Sequence, residues 1–439
     1  MATVRTTKGT RKTAAATATA ESTVVDAAMS YESIREEIEA ELQRNVSQWL
    51  PRTIDDKGGF HQTFDREWKR PKKDEPRFAV FQTRMTWLAS SYLAFEPRRK
   101  KEFVGYAQHG LAFLSGKQWD ADRGGFYDNV DRDGKPVTDG IGQIKSIYSN
   151  AFGVYALAAM YRATSDLFAL DLAFEAFEWI DSFAHDDVNG GYFNVLSNDA
   201  RPVAHDSISA PDETKTPGIK TMNTHIHLLE AFTELLRAAP HVVVRERVEE
   251  LLAIVRDKIA TPEGYLIERL TEDWQPISKS TSFGHDVETA FLLLDSAEAL
   301  GMAGDEQTLK VARALVDHAL KFGVNAKLGS LADAADLKGK ITSAKTAWWA
   351  SAEALNAFLL MHEIYGKEDG QYWTAFVAQW NFIKNHHIDT ENGGWYDMID
   401  DSGTPISTHK GGPWKEAYHE TRSMLHVTER LKRLEAASA

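Results

Sequence analysis

The residues of this chain best suited to chemistry are histidines set beside carboxylates, tryptophans and arginines. Of fifteen histidines, those in unusual company fall in three segments. In SFGHDVETAFLLL, His285 and Glu288 lie three apart, so a helix puts them on one face, while Val287, Phe291 and Leu294 form the apolar stripe. An imidazole held by a carboxylate is a pre-oriented acid or base near neutral pH. In GGPWKEAYHETRS, Trp414, His419 and Arg422 crowd one short Gly/Pro-initiated segment. In MNTHIHLLEA, His225 and His227 form an H-x-H pair. Residues two apart on a helix diverge by about 200°, so at most one of the two points inward, and a shared metal is not expected.

The surrounding residues suit a sugar. Trp348 and Trp349 begin a helical stretch with Glu353 one turn below Trp349, so an indole and a carboxylate share a face. Indoles offer flat apolar faces to sugar C–H groups, and a few charged groups fix the hydroxyls. Arg84, in FQTRMTWLAS, starts another helical stretch at its expected pocket-facing end.

These residues need a scaffold, and the scaffold is periodic. DKGGFHQTF, DRGGFYDNV, VNGGYFNV and ENGGWYDMI repeat a glycine pair followed by an aromatic. Their second glycines, Gly59, Gly125, Gly191 and Gly394, are spaced by 66, 66 and 203 residues, and the weaker echoes Gly264 and Gly329 divide the long gap into 73, 65 and 65. Six units of about 66 residues follow. Between the turns the periodicity is helical, as in NTHIHLLEAFTELLRA, where Ile226, Leu229, Phe232 and Leu236 form one stripe and Asn223 or Thr224 is the expected N-cap. Each unit reads as two helices and a tight hairpin, with glycine supplying positive φ and the aromatic plugging the hairpin onto helix ends. Six such pairs close into an all-α (α/α)6 barrel with short hairpins at the funnel mouth, and closure removes the need for polar capping repeats.

Composition sets the bounds. The chain has 439 residues, 43% of them apolar and 26% charged, which is ample for a large core. With no cysteine, disulfides and thiolate metal sites are excluded. A net charge of -14 argues against nucleic acid as a partner. No apolar run approaches the roughly 18 residues of a membrane span. Residues 1–30 read as a disordered Ala/Thr-rich tail without an apolar signal core, 31–433 as the catalytic domain and 434–439 as a short tail, so a cytoplasmic monomer or homodimer is expected.

NTHIHLLEA, SFGHDVE, KTAWWASAEAL and PWKEAYHETR, in that order within the repeat framework, resemble the N-acylglucosamine 2-epimerase superfamily, nearest its cellobiose 2-epimerase branch. The resemblance covers roughly residues 35 to 430. It implies a barrel that epimerises gluco- and manno-configured aldoses at C2, by ring opening and an enediolate, with no metal and no cofactor. It implies His285 and His419 as the acid/base pair, Glu288 orienting His285, and Arg84 stabilising the enediolate oxygen. It also implies His227 with Asn223 near the ring or O1 region, and Tyr148, Trp349, Glu353 and Trp414 as sugar contacts. Two bases suit the reaction because the proton leaves one face of C2 and returns to the other. Acid–base catalysis supplies about 3–5 kcal/mol, and oxyanion stabilisation a further ~3–4 kcal/mol.

One departure bears on the substrate. Where the cellobiose branch carries Cys-Pro and a later Asn, this chain has Glu416-Ala417 and Glu420. Two added carboxylates are expected to raise the pKa of His419 and reshape the outer sugar subsite. Rival readings are an aldose–ketose isomerase of the same superfamily, a non-catalytic sugar- or protein-binding member, and a glycoside hydrolase. The last needs two carboxylates across a cleft, such as Glu288 and Glu353, about 6.5–9.5 Å apart for inversion.

Overall fold

The structure, a computed structural model, describes residues 30–137, 144–203 and 219–438. The tail expected over 1–30 lies outside the described residues except for Ser30, whose hydroxyl caps the first helix by accepting from Ser33 N at 3.1 Å.

Twelve α-helices are found among the described residues: α1 (Tyr31–Trp49), α2 (Ala79–Phe95), α3 (Lys100–Phe113), α4 (Ile147–Thr164), α5 (Leu167–Ala184), α6 (Met222–Ala238), α7 (Val242–Ile254), α8 (Phe283–Ala299), α9 (Glu306–His318), α10 (Trp348–Tyr365), α11 (Gln371–Phe382) and α12 (Tyr418–Ser438). The even-numbered helices pack side by side into a closed inner ring, with α12 returning against α2. Each odd-numbered helix backs one of them, α1 backing α12. This is the (α/α)6 barrel. The helix α12 runs through residues 434–438, where a tail was expected, because its last turns still dock on the outer layer through Arg35–Glu435 at 2.7 Å.

Burial explains the two layers. Nearly every residue of α4, from Ile147 to Met160, is buried, as a helix enclosed on all sides requires. Outer α9 buries only the stripe Thr308, Ala312, Leu315 and Val316, plus His318 at its end. The N-cap of α6 is Thr221, not Asn223 or Thr224. Its hydroxyl accepts from Thr224 N at 3.2 Å, so the helix starts two or three residues early and Asn223 is free for other work.

All six units carry the same joint. An antiparallel bridge closes each hairpin: Ile54–Phe60, Trp119–Phe126, His185–Tyr192, Ala260–Leu266, Val324–Leu331 and Ile388–Trp395. The second residue of each bridge is buried in every case. In four units its backbone N–H is caught by an inner-helix side chain: Gln82 (2.7 Å), Asn150 (2.6 Å), His225 (3.0 Å) and Asp286 (3.0 Å). In four units an Asp at the hairpin base pairs with a buried cation just before the next inner helix: Asp55–Arg77, Asp120–Lys145, Asp186–Lys220 and Asp389–Lys410, at 2.6–2.9 Å. The hairpins therefore pin the N-terminal ends of the inner helices, the ends that carry the candidate site residues.

Gly191 shows why glycine is required. Its φ is +72°, and an added Cβ would lie 2.7 Å from the Trp274 ring and 2.8 Å from His225 Nε2. Gly191→Ala is expected to destabilise the protein by about 1–3 kcal/mol. Gly105→Ala, mid-helix in α3 with open space around the new methyl, should instead be stabilising by about 0.5–1 kcal/mol. Thermal denaturation of the two variants checks the contrast, and equal Tm values would refute it.

Candidate active site

The inner helices bring His227 from α6, His285 from α8, Trp349 and Glu353 from α10, and His419 and Arg422 from α12 to one end of the barrel axis. Trp349 lies against both imidazoles, 4.7 Å from His285 and 5.7 Å from His419 between ring centroids. His225 faces away from this centre. Its Nδ1 donates to Thr221 O at 2.7 Å and its Nε2 accepts from the Tyr192 amide, which fixes a neutral tautomer with a structural task. His227 turns inward, its ring edge-on to Tyr148 at 5.1 Å and its Nδ1 bound to Glu230 at 2.8 Å. The expected divergence of the H-x-H pair is what the helix produces.

The carboxylates differ from expectation. Glu288 does not hold His285: its Oε1 accepts from Arg422 Nη2 at 2.5 Å and is 3.9 Å from His419 Nδ1, while His285 Nδ1 is buried without a partner. Glu353, expected to touch sugar, is the residue that orients His419, through a 2.7 Å bond from Nδ1 to its Oε1. The reason is geometric, since spacing along one helix reveals a shared face but not which neighbouring helix points a stronger partner into it.

Arg422 is the hub. Its guanidinium also lies 2.7 Å from Glu353 Oε1, donates to Tyr418 Oη at 2.7 Å, and pairs with Glu230. Tyr418 Oη donates to Glu230 at 2.5 Å. Burial would raise the pKa of Glu230, but Arg422 and then His227 hold it down at about 2. Glu288, Glu353 and His419 offer ligand atoms all within 4.8 Å of one another, a donor set that would suit a metal. The cation among them is the guanidinium of Arg422, which a metal would have to displace.

Arg84 reaches the site from α2, buried against the rings of Phe152 (4.2 Å) and Tyr418 (4.7 Å). It donates to Tyr148 Oη at 2.9 Å and to Glu416 Oε1 at 3.1 Å, so it arrives already shared with a carboxylate. Asn223 is half-buried with an unpartnered, enclosed Oδ1. Trp414 stands at the mouth, 36% exposed, against Phe78 and Tyr148. Trp348 is not brought into the site: it is buried in the core beneath the Lys415 ammonium, 4.5 Å from its ring.

Burial pushes His285 down to about 4, so it is neutral at physiological pH. His419 is held well below its ordinary range by burial and then by Arg84 and Arg422. The expected rise from the added carboxylates is reversed, because Glu416 is engaged by Arg84 and Glu420 faces Lys415 at 3.5 Å. Burial raises Glu353 to about 8, against Arg422 and with help from Glu288. With Glu353 pushed up and His419 pushed down, the His419–Glu353 pair can hold one proton beyond a neutral imidazole and a carboxylate. Loaded, the pair is an acid through His419 Nε2; unloaded, it is a base at the same atom.

Sequence spacing missed two participants, Glu230 and Tyr418, and singled out Arg422 without giving it a role. Glu230 stands three residues after His227, the same signal that singled out His285 and Glu288. Tyr418 and Arg422 are four apart on α12 and share the face that His419 borders.

Residues 58–423 match the model of the N-acylglucosamine 2-epimerase (GlcNAc 2-epimerase) family. The chain is similar to the cellobiose 2-epimerase of Ruminococcus albus, 29% identical over 403 residues that cover 90% of this chain and 98% of that one. It is similarly related to the cellobiose 2-epimerase of Bacteroides fragilis, at 27% identity over 90% of this chain and 99% of that one. The solved structure of cellobiose 2-epimerase from Spirochaeta thermophila superposes with a TM-score of 0.82 at 32% identity, covering 92% of this chain and 98% of the other. A match across the whole barrel, on which the four motifs meet at one end, leaves one conclusion: the chain belongs to the N-acylglucosamine 2-epimerase family.

Proposed function

We propose that the protein is a cofactor-independent carbohydrate 2-epimerase that interconverts gluco- and manno-configured aldoses, with His285 and His419 as the two proton carriers. The observation that carries this reading is the meeting of two neutral imidazoles, from separate inner helices, on the one indole of Trp349. A ring-opened aldose lying on that indole presents C2 to both. His285, neutral and unpaired at Nδ1, takes a proton from one face, and the loaded His419–Glu353 pair returns one to the other. In the reverse direction the roles exchange. Arg84 supplies positive charge at the enediolate oxygen, with Tyr148 Oη fixing its guanidinium. Asn223 and His227 offer polar atoms at the O1 end, and Trp414 borders the mouth where a second sugar ring would leave the site.

A hydrolase is poorly served by this geometry. Glu288 and Glu353 bind the same Arg422 nitrogen and do not flank a cleft. An aldose–ketose isomerase would use the same enediolate and differ only in the carbon that receives the proton. Incubation with D-glucose, D-mannose, cellobiose and lactose, with and without EDTA, followed by product chromatography tests the proposal. Formation of the C2 epimer in both conditions is expected. Ketose alone, free monosaccharides from cellobiose, or no turnover of any of the four sugars would overturn it.

A further inference from the structure

Glu416 is a carboxylate the mechanism above does not use, placed against the one cation that it does use. It is fully buried, in the segment just before α12, with Oε1 3.1 Å from Arg84 Nη1 and Oε2 enclosed without a hydrogen-bond partner. An ionised carboxylate left half-satisfied in a dry site is costly, so the arrangement is poised between the charged and neutral forms. The other groups bearing on it are few. Arg84 approaches from α2, Tyr148 shares that guanidinium from α4, Lys415 neighbours it on its own segment and Glu420 acts on it from the first turn of α12. Tyr418 and Glu288 act on Arg84 from α12 and α8.

We propose that Glu416 is a positioning residue whose protonation state sets how much of the Arg84 charge is available to the reacting sugar. This rests on the epimerase reading of the site. Ionised, Glu416 neutralises Arg84 at 3.1 Å and weakens it as an oxyanion partner. Protonated, it still accepts the Nη1 hydrogen bond through one oxygen, so the guanidinium stays in place while its full charge is felt at C1–C2. Burial, opposed by Arg84 and aided by Glu420, pushes Glu416 up to about 7, which puts this change within the physiological range. The sign follows: the protonated, active form predominates below pH 7, and oxyanion stabilisation declines as pH rises through it.

The test uses D-gluconate, whose planar carboxylate at C1 mimics the enediolate charge, titrated calorimetrically into the full-length protein from pH 6 to pH 8, alongside kcat for mannose epimerisation. The wild type is expected to lose about 10-fold in gluconate affinity across this window. Glu416→Gln, which keeps size and hydrogen-bond acceptor but not charge, is expected to stay near the pH 6 value throughout. Every other titratable group is common to both proteins, so the difference between the two profiles isolates Glu416. Glu416→Ala, which loses the contact to Arg84, should bind weakly at every pH. Parallel pH profiles in wild type and Glu416→Gln, a wild type with no pH dependence, or weak binding by Glu416→Gln at every pH would each overturn the proposal. Failure of the epimerase reading is separable: no epimer would form at any pH, while the gluconate linkage would survive.

Discussion

His285→Ala and His419→Ala are each expected to lower kcat by roughly 10²–10⁴-fold while KM for the sugar changes by far less. Neither substitution touches Trp414, Tyr148 or Asn223, and the Trp349 platform keeps its place on α10, so binding should persist. The two losses have different structural reasons. His285 makes no hydrogen bond at Nδ1, so its removal deletes a base and little else. Removing His419 also strips Glu353 of its imidazole, leaving its carboxylate with Arg422 alone. Reaction in deuterated water should place deuterium at C2 of the product, since the proton delivered comes from a group that exchanges with solvent. Either variant retaining turnover within about tenfold of wild type would point to one base acting on a mobile intermediate. Product free of deuterium after a single pass would count against an exchanging acid.

The fold was legible because its repeating element is dictated locally. A positive φ at glycine and a buried residue beside it are constraints that sequence shows directly, and Gly59, Gly125, Gly191 and Gly394 meet both. In the fourth and fifth units Thr261 and Asn325 stand where other units have Asp, and Leu266 and Leu331 replace the aromatic. The bridge forms there all the same, since backbone pairing and burial carry it. The site was legible in its members and less so in its wiring. Glu288 was assigned to His285 because the two share a helix face, yet its partner Arg422 is 134 residues away in sequence. The same spacing at His227 and Glu230 does mark a real 2.8 Å contact. The difference is competition. Facing Glu288, Arg422 offers a charged, forked donor that an imidazole does not match. Trp348 and Trp349 illustrate the remaining gap: adjacent residues on a helix point about 100° apart, and only packing shows which indole faces the imidazoles.

Arg422→Met is expected to be the most destabilising single substitution in the site, by about 3–5 kcal/mol, because it leaves buried carboxylates without their cation. Glu230, Glu288 and Glu353 all converge on this guanidinium, which is fully buried and stacked over Tyr418 at 4.8 Å. For a chain of this size the Tm should fall by about 3–5 °C. Arg422→Lys keeps one charge but not the fork that serves several acceptors, so it should lie between wild type and the methionine variant. The pH dependence has a definite sign. In the wild type Glu230 is held at about 2 in the folded state, below its ordinary 4.5. Its stabilising contribution is therefore present above about pH 4.5 and is lost as pH falls toward 2. Without Arg422 the folded-state pKa of Glu230 shifts upward, and its penalty is relieved as acid protonates it. The Tm gap between wild type and Arg422→Met should thus be widest above pH 5 and narrow toward pH 4. Thermal denaturation across that range decides it: a variant as stable as wild type at pH 7, or a gap that grows on acidification, would show that the guanidinium does not hold these carboxylates in place.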